Sequence, residues 1–320
     1  MNGLPTLDQI RAARQRLGST VLRSPLIPLD GQGAQPRIYL KLENLQPTGS
    51  FKVRGAGNAL AVALEQGTRP GVFTTSAGNM AQALAWHAQR AGVPCTVIVP
   101  DTAPETKLAG IRRFGARIVQ VPWDELWNVL TVGHYAPLEG WTFIPPFDHI
   151  DMIAGNATIG LEIHEDLPGV RMVLVPFGGG GLIAGVASAL RSLEPSARVI
   201  ACEPETAAPF AASLLAGKAS QVDRKASFVD GIGAKNVLPS MWDRLHGVVR
   251  ESRTLSLAEI AQAVRFLYER HRIVAEGAGG SSVAAALKEG SAAGPIVAVV
   301  SGGNIDPGRL MSILEGNVPA

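Results

Sequence analysis

The sequence predicts an α/β protein with two open, twisted, mostly parallel sheets that are flanked by helices. Short buried apolar strands alternate with helical segments of about 10–15 residues, which is the pattern of strand–helix–strand crossovers. The chain of 320 residues is 46% hydrophobic but only 5% aromatic, and it contains 36 glycines. Such a composition favours close packing of helices on sheets and many tight turns.

The individual elements follow from apolar runs and helix-capping signals. Thr6 and Gln9 form a capping box for a first helix at about residues 7–17, and Ser256 and Glu259 form another. Strands are predicted at residues 37–42, 71–75, 94–99, 117–121, 172–177, 198–203 and 296–300. Further helices are predicted at about residues 80–91, 104–114, 124–131, 182–192, 256–270 and 279–288.

The middle of the chain is predicted to form a second, smaller domain. The strand–helix block at residues 66–146 is compatible with insertion into a larger domain that is built from residues 1–65 and 147–320. The Trp- and Pro-rich stretch at residues 141–147 would be the return crossing between them.

Charge and cysteine content exclude several classes of function. The net charge of +2 and the scattered Lys and Arg residues do not indicate a nucleic-acid surface. Residues 172–190 carry no charge, but Pro176 and four glycines interrupt them, so a buried strand, loop and helix explain them better than a membrane span. Cys95 and Cys202 lie in strand patterns and are expected to be buried free thiols, which fits a cytoplasmic location without a signal peptide.

Lys52 is the first candidate functional residue. It lies in residues 49–54 (GSFKVR), where it follows an aromatic residue in a Gly/Ser loop after a strand. A partly desolvated ammonium loses its proton readily and can then form a Schiff base. A loop lysine is ordinarily only a surface charge, so this interpretation depends on the other loops.

The loop at residues 75–82 (TSAGNMAQ) joins a strand to a helix. Its small residues expose backbone N–H groups at the helix N-terminus, and Ser76 and Asn79 add polar side chains, so the loop suits a carboxylate. The alternative is an ordinary helix cap.

The loop at residues 177–182 (FGGGGL) contains four consecutive glycines between a buried strand and a helix. A nest of N–H groups there would bind a phosphate, and the missing Gly-Lys-Ser/Thr argues against triphosphate chemistry. Residues 179–184 also fit a dinucleotide fingerprint, with Glu203 22 residues beyond Gly181. A nicotinamide-dependent dehydrogenase is therefore an alternative for this segment, although it leaves the Lys52 and Ser76 loops unexplained.

The loop at residues 300–304 (VSGGN) follows the last buried strand. Ser301 would present a neutral hydroxyl at the ligand edge, unless the loop is only a strand-terminating turn. The four segments together match pyridoxal 5′-phosphate holding an amino acid. They offer a lysine for an aldehyde, a nest of N–H groups for one phosphate, a loop for a carboxylate and a hydroxyl for a ring nitrogen.

On these motifs the chain resembles the fold type II pyridoxal-phosphate enzymes, whose fold is like that of the tryptophan synthase β-subunit, and within them the serine/threonine dehydratase branch. The resemblance runs from about residue 7 to residue 306. The matching segments are the Lys52 loop, residues 76–79, the tetraglycine loop, residues 230–232, residues 276–279 and residues 301–304.

The resemblance implies a role for each loop. Lys52 would form the Schiff base and act as a base, and Phe51 would pack against the cofactor ring. The remaining cofactor-binding residues would be Asn79 at the ring hydroxyl, Gly178, Gly179, Gly180 and Gly181 at the phosphate, and Ser301 at the ring nitrogen. The substrate-binding residues would be Ser76, Ala77, Asn79 and Met80. The large domain would bind the cofactor, and the small, mobile domain would carry the substrate loop.

Departures from the branch bear on specificity. Related racemases carry a second serine at the position of Ala77, so elimination is expected here instead of racemisation. Met80 replaces a usual His and Asn156 a usual Gln, which suggests a different substrate pocket. Glu203 matches one ligand of the branch's divalent-cation site, but Pro209 stands where an Asp is expected. No metal is therefore expected, and Glu203 could instead serve in a structural ion pair.

The implied activity is β-elimination on a 3-hydroxy amino acid such as threonine or serine, which gives a 2-oxo acid and ammonia. Alternative substrates are 3-hydroxyaspartate, phenylserine and a hydroxyectoine-derived compound. A β-replacement synthase and a non-catalytic binder of the same fold are further alternatives. The family resemblance also implies a homodimer, with no nucleic-acid or membrane partner.

Overall fold

The computed structural model describes residues 3–31, 37–67, 70–289 and 294–319. The strands are β1 (Leu26–Pro28), β2 (Ile38–Leu42), β3 (Val72–Thr75), β4 (Cys95–Pro100), β5 (Arg117–Val121), β6 (Thr142–Phe143), β7 (Met172–Pro176), β8 (Arg198–Pro204), β9 (Glu251–Leu255) and β10 (Ile296–Val300). The helices are α1 (Leu7–Leu17), α2 (Lys52–Glu65), α3 (Asn79–Ala91), α4 (Glu105–Arg112), α5 (Trp123–Val132), α6 (Ile150–Asp166), α7 (Gly181–Leu193), α8 (Pro209–Ala216), α9 (Pro239–Leu245), α10 (Leu257–Phe266), α11 (Gly277–Glu289) and α12 (Pro307–Leu314).

The strands form two sheets, which confirms the predicted fold class. One sheet has the order β1-β2-β10-β7-β8-β9, and the other has the order β5-β4-β3-β6. Only β1 runs antiparallel to its neighbour; the other pairs are parallel. All residues of β7 and β10 are buried, as expected for strands covered on both faces.

The predicted strands agree with the structure to within about two residues, but several elements were not predicted. Lys52 was placed in a loop, and the structure corrects this because Lys52 is the first residue of α2. The N-cap residue Phe51 makes no side-chain cap, so the sequence carries no start signal there. Helix α6 was missed because residues 152–163 are all buried and therefore show no amphipathic period.

Glycines let α6 pack closely between α2 and α7. A Cβ atom on Gly155 would lie 2.3 Å from the carbonyl oxygen of Arg54, and one on Gly185 would lie 2.7 Å from the backbone nitrogen of Ala157. Neither position has room for a side chain, because the obstructing atoms belong to backbone that cannot move aside. The close crossing brings the first turn of α2 against the middle of α6.

Four buried charged side chains tie β2, α2 and α6 together. Lys41, Glu43, Arg54 and Glu162 are each at most 5% exposed. The Arg54 guanidinium donates to both Glu43 oxygens at 2.8 Å and to both Glu162 oxygens at 2.6 and 2.9 Å. Lys41 Nζ donates to Glu162 at 2.6 Å. Although burial alone would raise it, the charge of Arg54 holds the pKa of Glu43 below its ordinary value.

The four-stranded sheet is made entirely of residues within the predicted small domain, and residues 141–147 add the short strand β6 to it. One hydrophobic core joins this sheet to α2, with Val53 and Leu60 packed among residues of β3, α3 and β4. The division of the chain at residues 66 and 147 therefore remains a prediction. Within the described ranges, none of the helices has the length and apolar character to cross a membrane. Cys95 and Cys202 are buried and free, as predicted.

We expect Arg54→Leu to lower the free energy of unfolding by about 3–5 kcal/mol, because it leaves the buried Glu43 carboxylate without its ion-pair partner and Glu162 with Lys41 alone. Urea denaturation followed by circular dichroism would measure the change. Arg11, on α1, is a matched control, because its ion pair with Asp8 at 3.5 Å is exposed; Arg11→Leu should change stability by at most about 0.5 kcal/mol. If Arg54→Leu lowered the free energy of unfolding no more than Arg11→Leu does, the buried network would not be needed for stability.

Candidate active site

Lys52 lies at the junction of three segments. Its Nζ donates to the carbonyl oxygen of Pro146 at 2.6 Å and lies 5.3 Å from the centroid of the Phe51 ring. The Phe51 N–H donates to the carbonyl oxygen of Ser301 at 3.0 Å, which ties the start of α2 to the loop after β10. Burial lowers the pKa of Lys52 to about 8, and the nearby Glu276 carboxyl limits the shift. Roughly a tenth of this lysine is therefore neutral and nucleophilic at pH 7, far more than of a lysine with the ordinary pKa.

The tetraglycine loop forms an uncapped helix start. Gly180 is the N-cap of α7 and has a φ of 90°, a left-handed conformation that favours glycine. No side chain caps the first turn, and no acidic residue lies in it. A Cβ atom on Gly179 would lie 2.5 Å from the Phe147 ring, so the loop can approach Phe147 only as glycine. The free N–H groups and the helix dipole suit a phosphate.

Asn156 lies beneath this loop. It is 1% exposed, and its Nδ2 donates to the carbonyl oxygen of Gly181 at 3.3 Å. The departure at Asn156 was taken to suggest a different substrate pocket, and that interpretation stays a prediction; in the structure this side chain contacts the tetraglycine loop. Its Oδ1 is buried and has no hydrogen-bond partner.

The loop after β3 forms a second uncapped helix start. Gly78 is the N-cap of α3 without a side-chain cap, and a Cβ atom built on it would meet no atom within 4 Å. The first amides of α3 therefore lie beside open space, where a carboxylate could bind. The Ser76 Oγ accepts a hydrogen bond from the Gly78 N–H at 3.1 Å, and Ala77 is half-buried. Met80 is 2% exposed and packs in the core with α2, so its contact with a substrate remains a prediction.

Two residues without an assigned role hold Asn79. Its Nδ2 donates to Glu276 Oε1 at 2.9 Å, and its Oδ1 accepts from Asn304 Nδ2 at 2.8 Å. Both residues lie in segments that the sequence marked as motifs, but no single-residue signal distinguished them. Burial, assisted by the charge of Asp230, raises the pKa of Glu276 to about 7.

Glu203 has a different role from those considered. It is fully buried, and its two oxygens accept from the N–H groups of Phe210 and Ala211 at 2.8 Å each; one also accepts from Ser252 Oγ at 2.7 Å. Glu203 forms no ion pair with another described residue, although that role was considered for it; it caps the N-terminus of α8 instead. Because Glu203 is 0% exposed, its carboxylate is not accessible to a dinucleotide ribose. Among the described residues, no three His, Cys, Asp or Glu side chains are grouped to hold a metal ion.

The structure thus gathers Lys52, Phe51, Asn79 and Ser301 at the carboxyl ends of strands from both sheets, with the tetraglycine loop joined to Lys52 through residues 146 and 147. Ser301 is 2% exposed. This arrangement fits pyridoxal phosphate and an amino acid. It offers an amine of lowered pKa, a nest of backbone amides for a phosphate and a second helix N-terminus for a carboxylate. The fold is that of an α/β enzyme, and Lys52 is the candidate nucleophile of its site.

Comparison with known proteins gives the family. The model of the pyridoxal-phosphate dependent enzyme family matches residues 18–302, and the chain belongs to this family. It is 40% identical over 318 residues to an L-threonine ammonia-lyase of Thermotoga maritima, covering 97% of this chain and 78% of that protein. It is 36% identical over 314 residues to the catabolic L-threonine dehydratase TdcB of Escherichia coli K12, covering 96% and 95%. The structure of maize serine racemase superposes with a TM-score of 0.87 at 30% identity, covering 97% of each chain.

The lowered pKa of Lys52 predicts unusual reactivity. We expect reductive methylation of the cofactor-free protein to modify Lys52 at lower pH than an exposed lysine, because the neutral amine reacts and its fraction rises through a pKa of about 8. Labelling at graded pH followed by peptide mapping would give the midpoint for each lysine. Lys218, which is exposed, provides the control curve. Coincident curves for Lys52 and Lys218 would contradict the desolvation argument.

Proposed function

We propose that the chain is a pyridoxal-phosphate-dependent dehydratase that performs β-elimination on a 3-hydroxy amino acid and releases a 2-oxo acid and ammonia. The observation that carries this proposal is the partly desolvated Lys52 beside the amide nest of the tetraglycine loop. The names of the relatives, L-threonine ammonia-lyase and L-threonine dehydratase, support threonine as a substrate. Serine is the other default, and 3-hydroxyaspartate, phenylserine and a hydroxyectoine-derived compound are the alternatives.

The candidate residues of the site would each hold one part of the cofactor. Lys52 would hold the cofactor covalently, Phe51 would contact its ring, and Ser301 would face its ring nitrogen. The N–H groups of residues 178–181 would hold its phosphate, and Asn79 its ring oxygen. When bound, the cofactor supplies a conjugated system that stabilises negative charge at the substrate α-carbon.

Lys52 is the base in this proposal. Its Nζ, once free, takes the α-proton, and a pKa of about 8 keeps that nitrogen able to accept a proton near neutral pH. The first amides of α3 and the Ser76 loop hold the substrate carboxylate and so orient the α-proton toward Lys52. The neutral Ser301 hydroxyl does not force a proton onto the ring nitrogen, which favours loss of the β-hydroxyl over transamination or racemisation.

The finer properties are proposals of the same kind. We expect a cytoplasmic homodimer without nucleic-acid partners; the buried free thiols of Cys95 and Cys202 support a reducing compartment. We expect no requirement for a divalent cation, because the carboxylate of Glu203 is satisfied by backbone amides and Ser252.

The activity is tested first by trapping and by product analysis. Borohydride reduction and peptide mapping should find the cofactor on Lys52, and a panel of 3-hydroxy amino acids should yield 2-oxo acids with at least one member. Lys52→Ala should lower kcat by at least about 10³-fold, since it removes the nucleophile and the base together. Exposed Lys218→Ala is the control. Incorporation of added thiols without ammonia release would instead identify a β-replacement synthase, and absence of an adduct at Lys52 would refute the enzyme proposal.

Ala77→Ser tests the preference for elimination. Ala77 offers no proton to the substrate, whereas a serine hydroxyl there could reprotonate the α-carbon from the side opposite Lys52. We expect the variant to racemise serine at a rate at least about tenfold above wild type while elimination continues, as measured by chiral chromatography of the remaining substrate. Ala77→Gly is the control because it adds no hydroxyl. An unchanged ratio of racemisation to elimination would show that Ala77 does not determine the outcome.

A further inference from the structure

The side-chain amide of Asn79 is held at both of its ends. Its Nδ2 lies 2.9 Å from Glu276 Oε1, and its Oδ1 lies 2.8 Å from Asn304 Nδ2. The oxygen and the NH2 group of a side-chain amide have nearly the same shape, so which is which has to be assigned from the hydrogen-bond partners. The partners of Asn79 allow this assignment.

The direction of the amide follows from a backbone carbonyl. The oxygen of Thr48 can only accept, and it lies 2.8 Å from Asn304, so the NH2 group of Asn304 must face it. The second hydrogen of that NH2 group requires an acceptor, and the neighbouring atom is the Oδ1 of Asn79. The NH2 group of Asn79 therefore faces Glu276 and keeps one further N–H for a ligand.

Three glycines make room for the residues that hold Asn79. A Cβ atom on Gly49, whose φ is 71°, would lie 2.6 Å from Asn304 Oδ1. A Cβ atom on Gly302 would lie 2.6 Å from Glu276 Oε1, and one on Gly231 would lie 3.1 Å from the same oxygen. These glycines come from three separate motifs of the sequence, and each allows the close approach of Asn304 or Glu276.

We propose that Glu276 and Asn304 are positioning residues that lock the Asn79 amide with its NH2 group toward the cofactor. The inference rests on the proposed function, which places the ring oxygen of the cofactor beside Asn79. An amide locked in this way can only donate to that oxygen. It therefore stabilises the deprotonated oxygen and the electronic form of the cofactor that goes with it.

The lock responds to pH through Glu276. Burial and the Asp230 carboxyl raise its pKa to about 7, while Asn79, Lys107 and Lys52 act in the opposite direction. The pKa lies above the ordinary value, so the carboxyl gains its proton as the pH falls through about 7. The protonated carboxyl is a weaker acceptor, and the hold on Asn79 loosens below that pH.

The test compares holoenzymes by the absorption spectrum of the bound cofactor across pH, the cofactor dissociation constant and thermal unfolding. Asn304→Ala and Glu276→Gln should each raise the dissociation constant roughly tenfold, because the first variant loses a hydrogen bond to Asn79 and the second replaces a charged acceptor with a weaker neutral one. Both should shift the spectrum in the direction produced by Asn79→Ala. The wild-type spectrum should change as Glu276 gains its proton at falling pH, and this change should be absent in Glu276→Gln. Exposed Glu125→Gln and Asn128→Ala are the matched controls.

A charge exchange separates positioning from stability. In the double variant Asn79→Asp with Glu276→Gln, the Asp carboxylate accepts from both Asn304 and the new amide, so all three groups keep partners. No N–H remains for the cofactor oxygen, and we expect wild-type thermal stability with a shifted spectrum and about tenfold weaker cofactor binding.

Several outcomes would overturn the proposal. An unaltered spectrum in the charge-exchange variant would do so. Single variants that lower only the unfolding temperature would also contradict it. The same holds if the single variants keep the spectrum and the dissociation constant within about twofold of wild type while Asn79→Ala changes both. Failure of the wild type to carry cofactor on Lys52 is detected before any variant is made, and it would refute the proposed function and this inference with it.

Discussion

The buried ion network around Arg54 is the constraint on which the site depends. Arg54 lies two residues after Lys52 on a helix that begins without a side-chain cap, so the network takes over the task of holding that helix start. Burying four charges is unfavourable unless every one of them is paired. Here the Arg54 guanidinium donates to both carboxylates, and Lys41 donates a further hydrogen bond to Glu162. The same residues connect β2 and α6 to α2, so the direction in which Lys52 leaves the helix is determined by the core beneath it.

A second constraint is the meeting of two sheets at one ligand edge. Parallel strands place the segments that follow them on the same side, and the segments after β2, β3, β7 and β10 supply the candidate residues. The loop after β3 belongs to the small sheet, whereas those after β7 and β10 belong to the large one. Asn79, held by Glu276 and Asn304, is the hydrogen-bonded link between the two groups of loops.

The sequence predicted the parts of the fold that leave a periodic or compositional mark. Strands such as Ile296–Val300 are short apolar runs, and the tetraglycine loop is conspicuous because a single turn does not need four glycines. Helix α6 left no mark, since its surroundings are buried on every side. Glu203 illustrates another limit: spacing suggested a ligand or ion pair, but its partners are backbone amides of residues 210 and 211, which have no sequence signature. The position of Glu276 against Gly231 and Gly302 likewise depends on tertiary contacts alone.

Burial shifts the pKa values of Lys52 and Glu276 in opposite directions. Desolvation disfavours both charged forms, so it lowers the pKa of Lys52 to about 8 and raises the pKa of Glu276 to about 7. Each group moderates the other's shift, because the carboxylate favours the ammonium and the ammonium favours the carboxylate. Two groups that are about six pH units apart in water therefore titrate close together in the folded protein. An amine that titrates in this range accepts and releases a proton near neutral pH more readily than an ordinary surface lysine does.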